Sequence, residues 1–209
     1  MSTEPNGARP RRTQEERSAA TRARLLDATI DCLYELGYAG TTTTMIADRA
    51  GVSRGAQLHH FPTKAELVTT AVEHLIERRV REFRAAFAAA PDDVDPHDAA
   101  IDILWTMVSG PTFYAWVELV VAARTDPELR SKVSAIGSRF FETVERTHRE
   151  LFPVPDDASP HFEVAPHFTF ALLQGLALDG IAHPHDPHLD PVIQALKHLS
   201  RRVRSNEKG

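Results

Sequence analysis

Apolar residues recur at three- and four-residue steps from early in the chain: Leu25, Leu26, Thr29, Cys32, Leu33 and Leu36 share one face of a helix beginning near Gln14. Gly37 ends it, at the place where a left-handed C-terminal cap favours glycine. The run Thr41-Thr42-Thr43-Thr44 is a poor helix interior but a good helix start, because short hydroxyls cap exposed backbone N–H groups. One apolar turn follows (Ile46, Ala47, Ala50), stopped by Gly51. Ser53 caps a second short helix reaching about His60, and Phe61-Pro62 breaks the chain. Thr63-Lys64-Ala65-Glu66 has the form of a capping box. It opens a long helix whose Leu67, Ala71, Leu75, Val80, Phe83 and Phe87 mark one face over some twenty-four residues, about 36 Å.

Residues 91–96, rich in Pro and Asp, predict a loop, and beyond it the pattern predicts helices at about 97–108, 112–124, 127–151, 161–182 and 190–204. Gly110-Pro111 separates the first pair, and Thr125-Asp126-Pro127-Glu128 the second, with Pro127 at a first-turn position where its missing N–H costs nothing. No segment alternates as a strand does, and no internal repeat appears. The fold class is all-α: a three-helix head at 14–63 behind a basic arm at 1–13, then a larger helical domain at 64–209.

Composition adds exclusions. Of the 209 residues, 42% are apolar and 25% charged, near the globular norm, which excludes collagen-like and wholly disordered chains. The single cysteine, Cys32, forms neither an internal disulfide nor a thiolate zinc site alone. No apolar run approaches the ~18–20 residues of a membrane-spanning helix, and the first twenty residues carry Arg9, Arg11 and Arg12 without a hydrophobic stretch, so a cytoplasmic protein with no membrane partner is expected. The net charge of −5 hides an asymmetry: residues 1–64 hold 9 Lys/Arg against 7 Asp/Glu, the rest 15 against 22. Phosphate binding needs a basic surface rather than a basic protein, and the front of the chain is where one exists.

Thr43–Ala50, the turn Gly51-Val52 and Ser53–His60 have the lengths and glycine-containing turn of a helix-turn-helix. Ala47 is small where the second helix crosses, Gly51 frees the turn for positive φ, and Ile46 with Val52 fills the space beneath. The bare pattern leaves two readings open, DNA binding and an ordinary tight corner. Under the first reading the side chains have partners. Arg54 suits guanine O6 and N7, Gln57 suits either adenine or a half-buried packing place, and His59 and His60 suit phosphates or bases, with plain solvation the alternative for His59. Hydroxyls at a helix start, and Lys64 at another, are natural phosphate ligands. Arg11, Arg12 and Arg17 suit either a minor-groove arm or plain solubility.

Read in order, Leu25-Leu26-Asp27-Ala28, Gly37-Tyr38, Thr42-Thr43, Ile46-Ala47, Ala50-Gly51-Val52-Ser53, Gly55, His60-Phe61 and Lys64 closely resemble the N-terminal domain of the tetracycline-repressor (TetR) family, over about residues 14–75. The resemblance implies a one-component bacterial regulator, a homodimer binding operator DNA through its N-terminal domains and a small inducer through its variable C-terminal helices. Carried over, Ser53, Arg54 and Gly55 through His60 form the recognition helix, while Thr42, Thr43 and Lys64 fall where members touch phosphate. Many members have leucine then tyrosine where this chain has Gln57 and Leu58. The tyrosine's role does not transfer to Leu58, which is expected to take over the packing of the absent leucine.

The last two predicted helices read as a dimer surface. Val192, Leu196, Leu199 and Val203 step by 4, 3 and 4, and the segment 168–178 is apolar on nearly every side, so it needs cover on nearly every side. Leu172, Gly175 and Leu176 with that seam are the candidate interface of a four-helix dimer. The aromatics Trp105, Phe113, Trp116, Phe140 and Phe168 suit an apolar ligand site or an ordinary core. The family resemblance favours the site, with Glu118, His167 and Gln174 as polar groups orienting the ligand. The run His183-Pro184-His185-Asp186-Pro187-His188 lacks anything to fix a metal, so none is assigned.

Neither a Gly-rich phosphate loop nor a nucleophile motif nor a paired carboxylate is present, so no catalysis and no cofactor are expected. The expectation is a ligand-responsive transcriptional regulator, a repressor released from a palindromic DNA operator by a small, largely apolar inducer. The alternative is an all-helical small-molecule carrier or enzyme in which the helical corner only packs.

Overall fold

The computed structural model describes residues 13–152 and 160–206, so the expected basic arm lies outside the described residues except for Thr13. Among them are nine helices and no strand: α1 (Gln14–Gly40), α2 (Thr43–Ala50), α3 (Arg54–His60), α4 (Lys64–Ala88), α5 (Pro96–Val108), α6 (Pro111–Ala123), α7 (Pro127–Leu151), α8 (Pro160–Ala182) and α9 (Leu189–Asn206). The helices foreseen from Pro96 onward lie within two residues of these bounds.

Six of the nine described starts carry a side-chain cap. Thr13 and Glu16 form a reciprocal capping box at α1. Thr42, Ser53 and Thr63 accept backbone N–H groups at the starts of α2, α3 and α4. Asp95 and Asp126 do the same for α5 and α7, each followed by a proline in the first turn. The expected stop at Gly37 is a break inside α1: its φ of +67° is non-helical, and the chain makes one further turn to Gly40. The Thr41 hydroxyl, shared between the carbonyls of Gly37 and Cys32, pins that turn.

Three apolar clusters hold the helices together. The first joins Leu25, Leu26, Cys32, Ile46, Phe61, Leu67 and Ala71 from α1, α2, the end of α3 and α4. The second joins Leu33, Val68, Val72, Ala115, Leu119 and Val133 from α1, α4, α6 and α7. The third, built on Ile101, Phe113, Phe170, Leu173, Ile193 and Leu196, ties α5 and α6 to α8 and α9. The start of α4 belongs to the first two clusters at once, so head and body meet along a shared helix.

One expectation is corrected. The segment Val164–Ala182 has a mean hydropathy of 1.2 and is long and apolar enough to cross a membrane by length and composition. Pro166, His167, Thr169 and Gln174 interrupt the apolar run without lowering its average enough to exclude it. Its Phe170, Leu173 and Ala177 are buried in the third cluster.

Candidate nucleic-acid interface and ligand cavity

The corner between α2 and α3 is set by Gly51, whose φ of +60° ends α2 in the left-handed conformation that a side chain resists. The two helices then bury Ile46, Ala47, Ala50 and Phe61 beneath them. Their outer surface carries Ser53, Arg54, Gly55, Leu58 and His59, all exposed, with exposed Thr42, half-buried Thr43 and exposed Met45 beside them. His60 is half-buried, its ring 5.5 Å from that of His59. A Cβ on Gly55 would meet nothing within 4 Å, so the protein's own packing does not demand the glycine.

Two residues expected at this surface are engaged by the protein itself. Gln57 is 0% exposed, and its Nε2 donates to the Phe61 carbonyl at 2.7 Å, closing the α3–α4 corner from inside. It takes the packing position, while Leu58 is 46% exposed, the reverse of what the family pattern suggests. Lys64 is half-buried. Its Nζ donates to the Tyr38 carbonyl at 2.6 Å and sits 4.1 Å from the Tyr38 ring centroid, and burial pulls its pKa below the usual lysine range. Sequence reasoning missed two exposed arginines of α1. Arg24 reaches the Gly51 carbonyl at 3.5 Å, and Arg22 lies over the Phe61 ring at 5.3 Å. Their spacing beside Arg17 was the available signal.

In the body, α4–α8 together with Ser200 of α9 line a half-open cavity of about 200 Å3. Of the expected ligand residues Phe113, Trp116, Phe140 and Gln174 line it. The others sit elsewhere. Trp105 packs against the third cluster. His167 stacks on Phe141 with centroids 4.6 Å apart and lies 3.5 Å from a Glu145 oxygen. Phe168 is 57% exposed on the outer face of α8.

Unforeseen wall residues come from α4, where Val72, Leu75, Ile76, Arg79, Val80 and Phe83 follow a second apolar stripe interrupted by one cation. That interruption was legible in the sequence. Arg79 Nε and Nη2 donate to Thr112 Oγ1 at 3.0 and 2.7 Å, and its Nη1 to Glu82 at 2.7 Å. His148 also lines the cavity, and burial pushes its pKa down.

Glu118 has a different role from the one expected. Its Oε2 accepts the Tyr38 N–H at 2.9 Å, and a Cβ on Gly37 would lie 2.7 Å from the same oxygen. The glycine break in α1 therefore admits a carboxylate from α6. The Tyr38 peptide is held on one side by the body and on the other by Lys64 at the start of α4.

The expected dimer residues divide. Leu196 is buried in its own chain, and Leu172 and Leu176 pack partly against the third cluster. Val192 is half-buried, Gly175 and Leu199 are exposed, and the Val203 side chain lies outside the described residues. The exposed apolar line runs instead along α8 through Val164, Phe168, Ala171, Gly175 and Leu178, with Ile181 next to it. Its steps of 4, 3, 4 and 3 are a heptad seam. In the α8–α9 loop His183 Nδ1 lies 3.2 Å from Asp179 Oδ1, and among the described residues no group of three metal-ligating side chains meets.

Comparison with known proteins bears on both halves. Residues 25–71 match the model of the bacterial regulatory proteins of the tetR family, and residues 95–203 that of a tetracyclin repressor-like C-terminal domain. An uncharacterized HTH-type transcriptional regulator of Mycobacterium tuberculosis is 33% identical over 82% of this chain and 85% of its own. The HTH-type transcriptional regulator CymR of Pseudomonas putida is 38% identical over 65% of this chain and 64% of its own. A crystal structure of a putative transcriptional regulator from Pseudomonas aeruginosa PAO1 superposes with a TM-score of 0.70 at 24% identity, covering 94% of this chain and 97% of that one.

Proposed function

Because the chain belongs to the TetR family of bacterial regulatory proteins, and is thus a DNA-binding transcriptional regulator, we propose that it is a cytoplasmic repressor that binds a palindromic operator as a homodimer and is released by a small, largely apolar effector held in the α4–α8 cavity. The carrying observation is the two-sidedness of α3. One face is anchored through Gln57 and Phe61, and the other offers Arg54, Gly55, Leu58 and His59 outward. Arg54 at the helix start is the base-reading cation, with Ser53 and His59 beside it. Thr42 and Thr43 with Arg22 and Arg24 meet the phosphates on either side. Lys64 acts from within, by fixing the Tyr38 turn, and Gln57 by fixing the corner.

The second copy covers the α8 seam. Val164, Phe168, Leu178 and Ile181 from each protomer, with Leu199 of α9, form a self-complementary apolar face, and exposed Ala171 and Gly175 let the helices approach. This also accounts for the apolarity of α8 without lipid. Two recognition helices then enter successive major grooves, about 34 Å apart or a multiple of it. The effector acts by binding more tightly to a dimer geometry that no longer matches that spacing.

The test is fluorescence anisotropy against the DNA upstream of the protein's own gene. Salt-sensitive binding to an inverted repeat is expected, weakened by Arg54→Ala by about 1–3 kcal/mol, with specificity relaxed at one base position. Equal affinity for all duplexes, with Arg54→Ala neutral, would instead support a helical carrier.

A further inference from the structure

Resting on the reading of α3 as the helix that enters the major groove, we propose that Leu58 reads a thymine through its C5-methyl group, so that each half-site carries a thymine close to the guanine paired with Arg54. The placement of Leu58 is the first ground. Gln57 and Phe61, four residues apart, are 0% and 2% exposed and fix the inner side of the helix. Arg54 and Leu58, also four residues apart, share the outer side, and both are exposed. A lone exposed leucine is ordinary on a protein surface. This one stands on the face that the α2–α3 corner turns away from the core, and its own helix does not cover it. A Cβ on Gly55, three residues earlier on that face, would meet no atom within 4 Å, so the leucine is not folded down onto the preceding turn.

The second ground is the set of side chains left to do the reading. Beyond Gly55, the exposed residues of α3 are Arg54, Leu58 and His59. With Gln57 buried, α3 presents no amide to pair with adenine, and it has no carboxylate to accept from cytosine. Arg54 matches guanine. The thymine methyl is the one apolar group that a base pair presents in the major groove, and Leu58 is the one large apolar side chain that α3 turns outward. An A·T pair is then recognised from its thymine side, by contact rather than by hydrogen bonding.

Spacing agrees with this assignment. Four helical residues rise about 6 Å, close to two base steps of about 3.4 Å. A thymine touched by Leu58 therefore lies within about two base pairs of the guanine paired with Arg54.

The experiment first selects duplexes from a randomised library with the full-length protein. The selected inverted repeat is then measured by fluorescence anisotropy with each thymine in turn replaced by uracil, which pairs alike and lacks only the methyl group. Uracil at one thymine near the guanine should weaken binding about tenfold when both half-sites carry it, the scale of withdrawing one buried methyl from each. Uracil elsewhere should matter less than about twofold. In Leu58→Ala the same replacement should also matter less than about twofold, while the preference for the guanine is kept. The melting temperature of that variant should stay within about two degrees of the parent's.

Uracil that is neutral at every thymine, or a penalty that persists in Leu58→Ala, overturns the proposal and leaves α3 standing as the reading helix. A variant that loses the guanine preference, or that melts about five degrees or more below the parent, makes Leu58 a packing residue and overturns it as well. Failure to enrich any sequence overturns the proposal together with the reading of α3.

Discussion

Gln57 and Leu58 exchange the places expected of them, and the reason is local chemistry. A polar side chain survives at 0% exposure because its amide N–H meets the Phe61 carbonyl just beyond the end of α3, so part of the desolvation cost is offset. Hydrophobic periodicity marks a buried position by its apolarity and therefore misses a buried amide whose N–H is taken by the backbone four residues on while its Oε1 has no protein partner. The same limit explains Lys64, whose partner Tyr38 is 26 residues away in sequence. The places of Arg54, Ser53 and Thr42 at exposed helix starts were legible because a helix start is signed locally. Gly55 allows a sharp test. With open space at its Cβ position, Gly55→Ala should leave the melting temperature unchanged or raise it, since alanine in a helix is favoured by up to about 1 kcal/mol. If the missing side chain lets the backbone approach DNA, operator affinity should nevertheless fall; unchanged anisotropy would show that α3 does not approach so closely.

Among the elements, helix boundaries were the most legible feature, because nearly every start is signed by a hydroxyl, an aspartate or a proline whose effect is local. Which face of a helix meets which neighbour was less so. Helix α4 carries two stripes, one for the core and one for the cavity, and a single list of apolar positions could not separate them. The pairing of α6 with the broken end of α1 is a tertiary fact, since Glu118 and Tyr38 lie 80 residues apart in sequence. That contact joins a cavity-lining helix to the turn preceding α2, as Thr112, Phe113 and Trp116 of the same helix line the cavity. Glu118→Ala removes the acceptor of the Tyr38 N–H. It should preserve effector affinity measured by calorimetry but reduce, by severalfold or more, the effector's ability to release DNA. A variant released as readily as the parent would assign the coupling to the packed faces of α4 instead.

For the whole molecule, the proposed dimer rests on the long exposed apolar line of α8. The sequence reading put the interface on both α8 and α9, with the 4-3-4 rhythm on α9, yet Leu196 of that rhythm is turned inward. The exposed counterpart on α8 was obscured because both faces of that helix are apolar, and apolarity alone does not say which face its own chain covers. Every substitution in a two-fold interface acts twice. Replacing Ile181, which is 60% exposed, by Asp therefore introduces two charges into the proposed face. Sedimentation should show a folded monomer, and operator binding should fall with it. A dimer that persists would move the interface elsewhere.

The double membership of α4 has a practical consequence for anyone exchanging sensors between such proteins. Leu67 and Ala71 complete the floor beneath the reading helices, whereas Val68 and Val72, on adjoining positions of the same turns, complete the joint with α6 and α7. A graft cut at the start of α4 would hand the head a foreign floor, and one cut past Val72 would hand the body a foreign wall. A working chimera has to interleave the two parents residue by residue across that stretch, because the border between reader and sensor runs lengthwise along a helix rather than across it.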